Sequence, residues 1–373
     1  MRGCEVIEVA PTMASSGSAS SESGNLDLLR SIAVLFVVIS HLPPAAALVD
    51  EYLGAERYHL QALGLTGVAI FFVHTCLVLM LSLDRQANAQ GMHRFAAVFY
   101  LRRAFRIFPL SIVVVLIVAL LIPTSIGQVI DWSALLSNLF LVQNITGEPS
   151  VPPPLWSLPY EVQMYVLLPG VFIFLKASTS SRFKGALILW FASVILVLMT
   201  WRLGYNYHLI KFFPMFLAGV LAFSLRECKQ WLLPWLFLTG VLAAGLVMPF
   251  AVANGFREVP ALWLLCLALG VAIPKTIEIA PGVLRSVGHL IAKYSYGIYL
   301  VHLPIIEYAF VHGQLESPAL EWFLFFSGTA AISFAAFHLV ERPGIRLGVR
   351  FAREIVRIKK DHGKAQRRVT ALD

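Results

Sequence analysis

The chain has 373 residues, of which 58% are hydrophobic and only 13% charged, and its mean hydropathy is +0.76. An ordinary globular domain carries about a quarter charged residues, so this composition excludes a soluble fold and places the chain in lipid. The net charge of +8 and the pI near 9.4 do not point to nucleic acid, because the basic residues fall between apolar runs and in the tail and form no single basic face.

In chain order, residues 1–25 are rich in Ser, Gly and Ala with no apolar core before Leu26, which reads as a disordered cytoplasmic leader and not as a cleavable signal peptide. Met13, followed by ASSGSASSESG, is an alternative start. Windows of roughly 17 to 25 apolar residues then predict helices near 27–48, 64–83, 107–123, 159–175, 184–201, 209–225, 231–250, 259–274, 290–310 and 319–340. Pro43 and Pro44 are expected to kink or end the first helix, since proline removes a backbone donor and clashes with the preceding turn. The shorter stretch Leu135 to Val142 reads as re-entrant or interfacial. A membrane domain over 26–346 is thus followed by a basic cytoplasmic tail over 347–373. The predicted fold is an all-α integral membrane protein, a bundle of about ten transmembrane helices.

Basic residues are retained on the cytoplasmic side of short loops. With the N-terminus inside, inner segments hold Arg85, Arg94, Arg102, Arg103 and Arg106, then Lys176, Arg182 and Lys184, then Arg226 and Lys229, then Lys275, Arg285 and Lys293. Ten more lie between Arg342 and Arg368, while the outer loops hold only Arg57, Arg202, Lys211 and Arg257. Counting Arg2 and Arg30, 25 of the 29 Lys and Arg residues fall inside, so both termini are expected to be cytoplasmic in the inner (cytoplasmic) membrane of the cell. The four cysteines, Cys4, Cys76, Cys228 and Cys266, have neither disulfide-framework nor metal-ligand spacing. No metal site is expected. Asn144-Ile-Thr146 matches a glycosylation sequon, a match too short to carry functional weight.

Several polar residues inside the predicted spans are candidates for chemistry. The first helix, NLDLLRSIAVLFVVISH, carries Arg30 near its cytoplasmic start and His41 eleven residues on. Eleven residues are three turns plus about 20°, so both side chains share a face roughly 16 Å apart along the axis. Ionisable groups in a bilayer are costly and usually face a bundle interior or a cavity. A snorkelling interfacial anchor accounts for Arg30 equally well, and an interhelical hydrogen bond for His41. Glu161 lies near the outer end of the fourth span, where an acid needs water or a partner. In KYSYGIYLVHLPI, Ser295, Tyr299 and His302 recur at i, i+4 and i+7 and share a face. The arginines of FYLRRAFRIFPL gather at the cytoplasmic mouth of the third helix, where they either hold phosphates or serve topology alone.

LDLLRSIAVLFVVISH, FFVHTC, RRAFRIFPL, LWSLPYEVQMY, SYGIYLVHLPI and ERP follow one another between Leu26 and Arg346. In that order they resemble the motifs of the acyltransferase 3 family of integral-membrane O-acyltransferases. The resemblance implies transfer of an acyl group, commonly acetyl, from acyl-CoA as co-substrate to a hydroxyl of a cell-envelope or exported glycan, with no tightly bound cofactor. It carries the family's arginine and histidine pair onto Arg30 and His41, its RxxR pair onto Arg103 and Arg106, and its WSL and acidic motif onto Trp156, Ser157, Leu158 and Glu161. The late motif falls on Ser295, Tyr296, Tyr299 and His302, and ERP on Glu341 and Arg342. Two departures stand out: the usual second acid is Val162, and the usual FFVLSGF reads FFVHTCL, so that His74, Thr75 and Cys76 reshape a cavity wall. The hydrolase-like domain fused to some relatives is also expected to be absent.

On this reading His41 is the general base, with Glu161 orienting its ring or the acceptor. Arg30, with Arg103 or Arg106, binds the CoA phosphates, and Trp156, Ser157, Ser295, Tyr299 and His302 line the cavity. The competing reading is a transporter or flippase for a glycan or lipid-linked sugar, which also needs many helices and buried polar groups. A purely structural scaffold does not need so many intramembrane ionisable residues.

Overall fold

The structure, a computed structural model, describes residues 23–43, 58–90, 95–121, 131–177, 181–204, 208–312 and 317–369. In chain order the long helices are α1 (Gly24–His41), α2 (Tyr58–Gln90) and α3 (Phe95–Leu121), then the short α4 (Trp132–Leu139) and a 3-10 turn, Pro153–Ser157, that leads into α5 (Leu158–Ala177). Next come α6 (Arg182–Arg202), α7 (His208–Ser224), α8 (Pro234–Ala253), α9 (Glu258–Ala272) and α10 (Val283–Ile306). The last pair, α11 (Pro318–Ala336) and α12 (Arg342–Val369), is joined by a π-helical turn. Among the described residues there is no β-strand, only an isolated bridge between Leu232 and Thr276.

Each of the ten windows read as a span falls on a helix, and seven helical stretches among the described residues are long and apolar enough to cross a membrane. The seven stretches hold α1, α2, α5, α6, α8, α9 and α11. Of the other three predicted spans, α7 has 17 residues, α3 carries three arginines and α10 carries the Ser/Tyr/His row. The first helix ends at His41, capped at Leu42 just before the two prolines, as their chemistry requires. The leader up to residue 22 and residues 44–48 of the first predicted span lie outside the described residues.

One boundary differs from the sequence reading. Helix α1 starts inside the stretch assigned to the leader because Ser23 caps it: its Oγ accepts from Leu26 N and donates to Glu278 Oε2 at 2.9 Å. The amide of Gly24 also donates to Glu278, and the Asn25 side chain bridges Ile277 O and Ile279 N. The basic tail is helical as far as Val369, since its charged residues are good helix formers and hydropathy alone does not register them.

The helices expose large apolar side chains on the outside and bury ionisable groups within the bundle. Leu246 and Leu339 are each 75% exposed, whereas His302 is 0% and Glu341 2% exposed. An apolar exterior, with ionisable groups turned into the bundle interior, is what a bilayer solvent selects. Helix α2 runs through the middle, against α1, α3, α5, α7, α8 and α9. Small residues allow that crowding. A Cβ on Gly67 would meet Ala33 O of α1 at 2.5 Å, and one on Gly219 of α7 would meet Val73 O of α2 at 2.4 Å. Gly219→Val is therefore expected to cost about 1–3 kcal/mol or more, by forcing apart two packed backbones. Thermal denaturation in detergent checks this; an unchanged midpoint would contradict the close α2–α7 contact.

Candidate functional site

Arg30 points into the bundle. It lines a cavity that it shares with Arg103 and Arg106 of α3 and Glu161 of α5. The Nε atoms of Arg30 and Arg103 are buried without a hydrogen-bond partner. A snorkelling anchor would carry its guanidinium to the surface, so the interior reading of Arg30 holds. Arg103 also donates to Ser82 Oγ at 3.2 Å and sits over the Phe99 ring, which holds its fork in place. Three guanidinium groups thus face one lining carboxylate, a balance suited to a polyanion.

Glu161 was expected near the outer end of a span, in reach of the histidine. The structure instead brings it into the arginine cavity, where it accepts a hydrogen bond from Tyr165 at 3.0 Å. The cause is local: the 3-10 turn before α5 is buried, with Leu155 0% and Ser157 4% exposed, so α5 begins within the bundle. His41 takes its hydrogen bond elsewhere. Its Nδ1 lies 2.7 Å from Val37 O, and because a carbonyl only accepts, that nitrogen carries the proton. Nε2 therefore holds the lone pair. The ring is exposed to a second cavity, which Trp156, Ser40, Gln61 and Glu258 also line.

His302 lines neither cavity. Its ring stands edge-on to His41 with centroids 5.1 Å apart, its Nδ1 donates to Tyr299 O at 2.8 Å, and its Nε2 is buried without a partner. Tyr299 donates to Pro154 O and accepts from Ser157 Oγ, both at 2.8 Å, tying α10 to the turn before α5. Ser295 Oγ returns to Ala292 O of its own helix, and Tyr296 donates to Ile107 O of α3. In the divergent FFVHTC stretch His74 and Thr75 line the arginine cavity, whereas Cys76 turns to α7, under Gly219. Glu341 Oε2 is buried without a partner, within electrostatic reach of Arg30 and Arg106.

The structure therefore divides the predicted residues. Arg30, Arg103, Arg106, Glu161, Ser157, Ser295 and Tyr299 meet in one cavity; His41 and Trp156 belong to the other, which Tyr299 also lines. Sequence reasoning missed Tyr165, although its position four residues after Glu161 on one helix was a usable signal. Gln61, Val68 and Glu258 carried none, since nothing local marks a residue that only tertiary packing brings to a cavity.

A family model described as an acyltransferase domain matches residues 23–338. The acyltransferase MdmB of Streptomyces mycarofaciens is 25% identical over 355 residues, covering 84% of this chain and 86% of that relative. A Staphylococcus aureus protein provisionally named an O-acetyltransferase is 24% identical over 368 residues, 87% of this chain, which spans 58% of that relative's length. Nodulation protein 10 of Rhizobium leguminosarum bv. viciae is 23% identical over 378 residues, 88% of this chain and 95% of that relative. No solved structure matches the chain.

Proposed function

We propose, from the premise that this chain belongs to the acyltransferase 3 family and is a multi-pass membrane O-acyltransferase, that it takes an acyl group from acyl-CoA in the arginine-lined cavity to a glycan hydroxyl in the cavity of His41. One observation carries the reading: the two cavities adjoin, with Val68 and Tyr299 lining both. Phosphates held by Arg30, Arg103 and Arg106 leave the extended pantetheine arm about 16 Å of helix rise to cover before its thioester meets His41. Acetyl is the favoured acyl group and a cell-envelope glycan the favoured acceptor.

In the transfer step, His41 Nε2 takes the proton of the acceptor hydroxyl as its oxygen attacks the thioester carbonyl carbon. Collapse of the tetrahedral intermediate forms the ester and breaks the carbon–sulfur bond. The departing thiolate recovers the proton from His41, so that CoA-SH and the ester leave a neutral imidazole. An acyl-histidine relay gives the same net reaction. Glu161 acts on the donor side, where it holds Tyr165 and balances the arginines, and not on the His41 ring.

Ten spans with both termini in the cytoplasm of a cell bearing an inner membrane complete the proposal. Ion pairs support it: Asp84 at the end of α2 meets Lys176 at the end of α5 at 3.5 Å and Arg226 just after α7 at 3.4 Å, and the sequence puts all three on the inner side.

Membranes containing the protein, given radiolabelled acetyl-CoA and a host envelope extract, are expected to move label into the glycan fraction and to release equal free CoA. Label that stays on CoA while glycan crosses the membrane regardless of acetyl-CoA would overturn the proposal in favour of a flippase.

A further inference from the structure

Among the described residues, Val68 of α2 and Tyr299 of α10 border both cavities, and they are only 4% and 7% exposed. Neither is free to swing aside. Tyr299 is tied at its hydroxyl to Pro154 O and Ser157 Oγ, and the edge of Phe71 packs on it with centroids 6.0 Å apart. Val68 follows Gly67, whose missing side chain lets α2 lie against Ala33 O of α1, and its β-branched side chain has one stiff rotamer in a helix. The α1–α2 backbone contact therefore fixes where the Val68 methyl groups stand.

We infer that Val68, together with Tyr299, forms a fixed aperture between donor and acceptor cavities and selects the acyl group by length. The inference rests on the donor and acceptor reading given above. A thioester delivered from the arginine side must bring its acyl group past these two side chains to reach His41 Nε2. Small acyl groups pass. Each added methylene must displace a side chain that hydrogen bonds and a glycine contact hold still, so the cost rises with chain length. Because Val68 is the one aliphatic side chain among the described residues that lines both cavities, the width of the aperture is set at that position.

The test is a set of kcat/KM values for acetyl-, propionyl- and butyryl-CoA, measured with the full-length protein in membranes and the same envelope extract as acceptor. The wild type is expected to favour acetyl over butyryl by about tenfold or more, the discrimination that one or two methylenes typically give. Val68→Ala should raise the butyryl-to-acetyl ratio by a similar factor. Val68→Ile, which adds one methylene to the same branched side chain, should lower the propionyl-to-acetyl ratio, and it supplies the answer if the alanine variant does not accumulate. A wild type that accepts all three donors equally overturns the inference, as do variants that keep its ratios. A wild type that uses none of the three overturns the donor reading as well, which separates the two failures.

Discussion

His41→Ala is expected to lower acyl transfer by about 10²–10⁴-fold while the protein remains in the membrane at its normal level. The size follows from the role: a positioned general base contributes that much, and no other side chain shown to border the His41 cavity carries a base fixed in its tautomer by a backbone carbonyl. The folded state should tolerate the change. His41 is exposed at the end of α1, with its ring edge-to-face against His302, so truncation opens no core cavity. Turnover with acetyl-CoA, compared at equal protein in the membrane fraction, checks both halves, and wild-type turnover would remove His41 from the chemistry.

The second large effect belongs to the donor side. Arg106→Ala is expected to raise the KM for acyl-CoA by about 10- to 150-fold, since hydrogen bonds to a charged group are worth about 1.5–3 kcal/mol and each 1.4 kcal/mol is tenfold. Arg106 shares its cavity with Arg30 and Arg103, so loss of one guanidinium weakens the grip on phosphate without removing it. Arg106→Lys should recover only part of the loss, because an ammonium cannot make the planar two-pronged contact. The KM series with the three enzymes checks this. A KM unchanged in Arg106→Ala would place the CoA phosphates elsewhere.

Much of this architecture was legible in the sequence because lipid imposes simple rules. A helix in a bilayer must satisfy its own backbone and be apolar over its length, so the apolar windows located ten helices. Prolines 43 and 44 mark where α1 ends. The limits were also physical. Hydropathy is blind to the charged α12 and to the first turn of α1, where a Ser23 cap and a distant carboxylate, Glu278, decide the start. Helical spacing put Arg30 and His41 on one face, yet it could not tell that a wall stands between them, since Val68 and Tyr299 come from other helices. The cavity that Glu161 enters was not legible for a similar reason: it depends on the buried turn at Pro153–Ser157, a tertiary feature that a span boundary does not reveal.

The division of labour between the two cavities is tested most directly by measuring transfer from labelled acetyl-CoA over a wide range of concentrations in Arg106→Ala and in His41→Ala. The two-cavity mechanism predicts that saturating acetyl-CoA returns Arg106→Ala close to the wild-type kcat and leaves His41→Ala as slow as before. Rescue of His41→Ala by excess donor, or a kcat of Arg106→Ala that stays low at saturation, would contradict it.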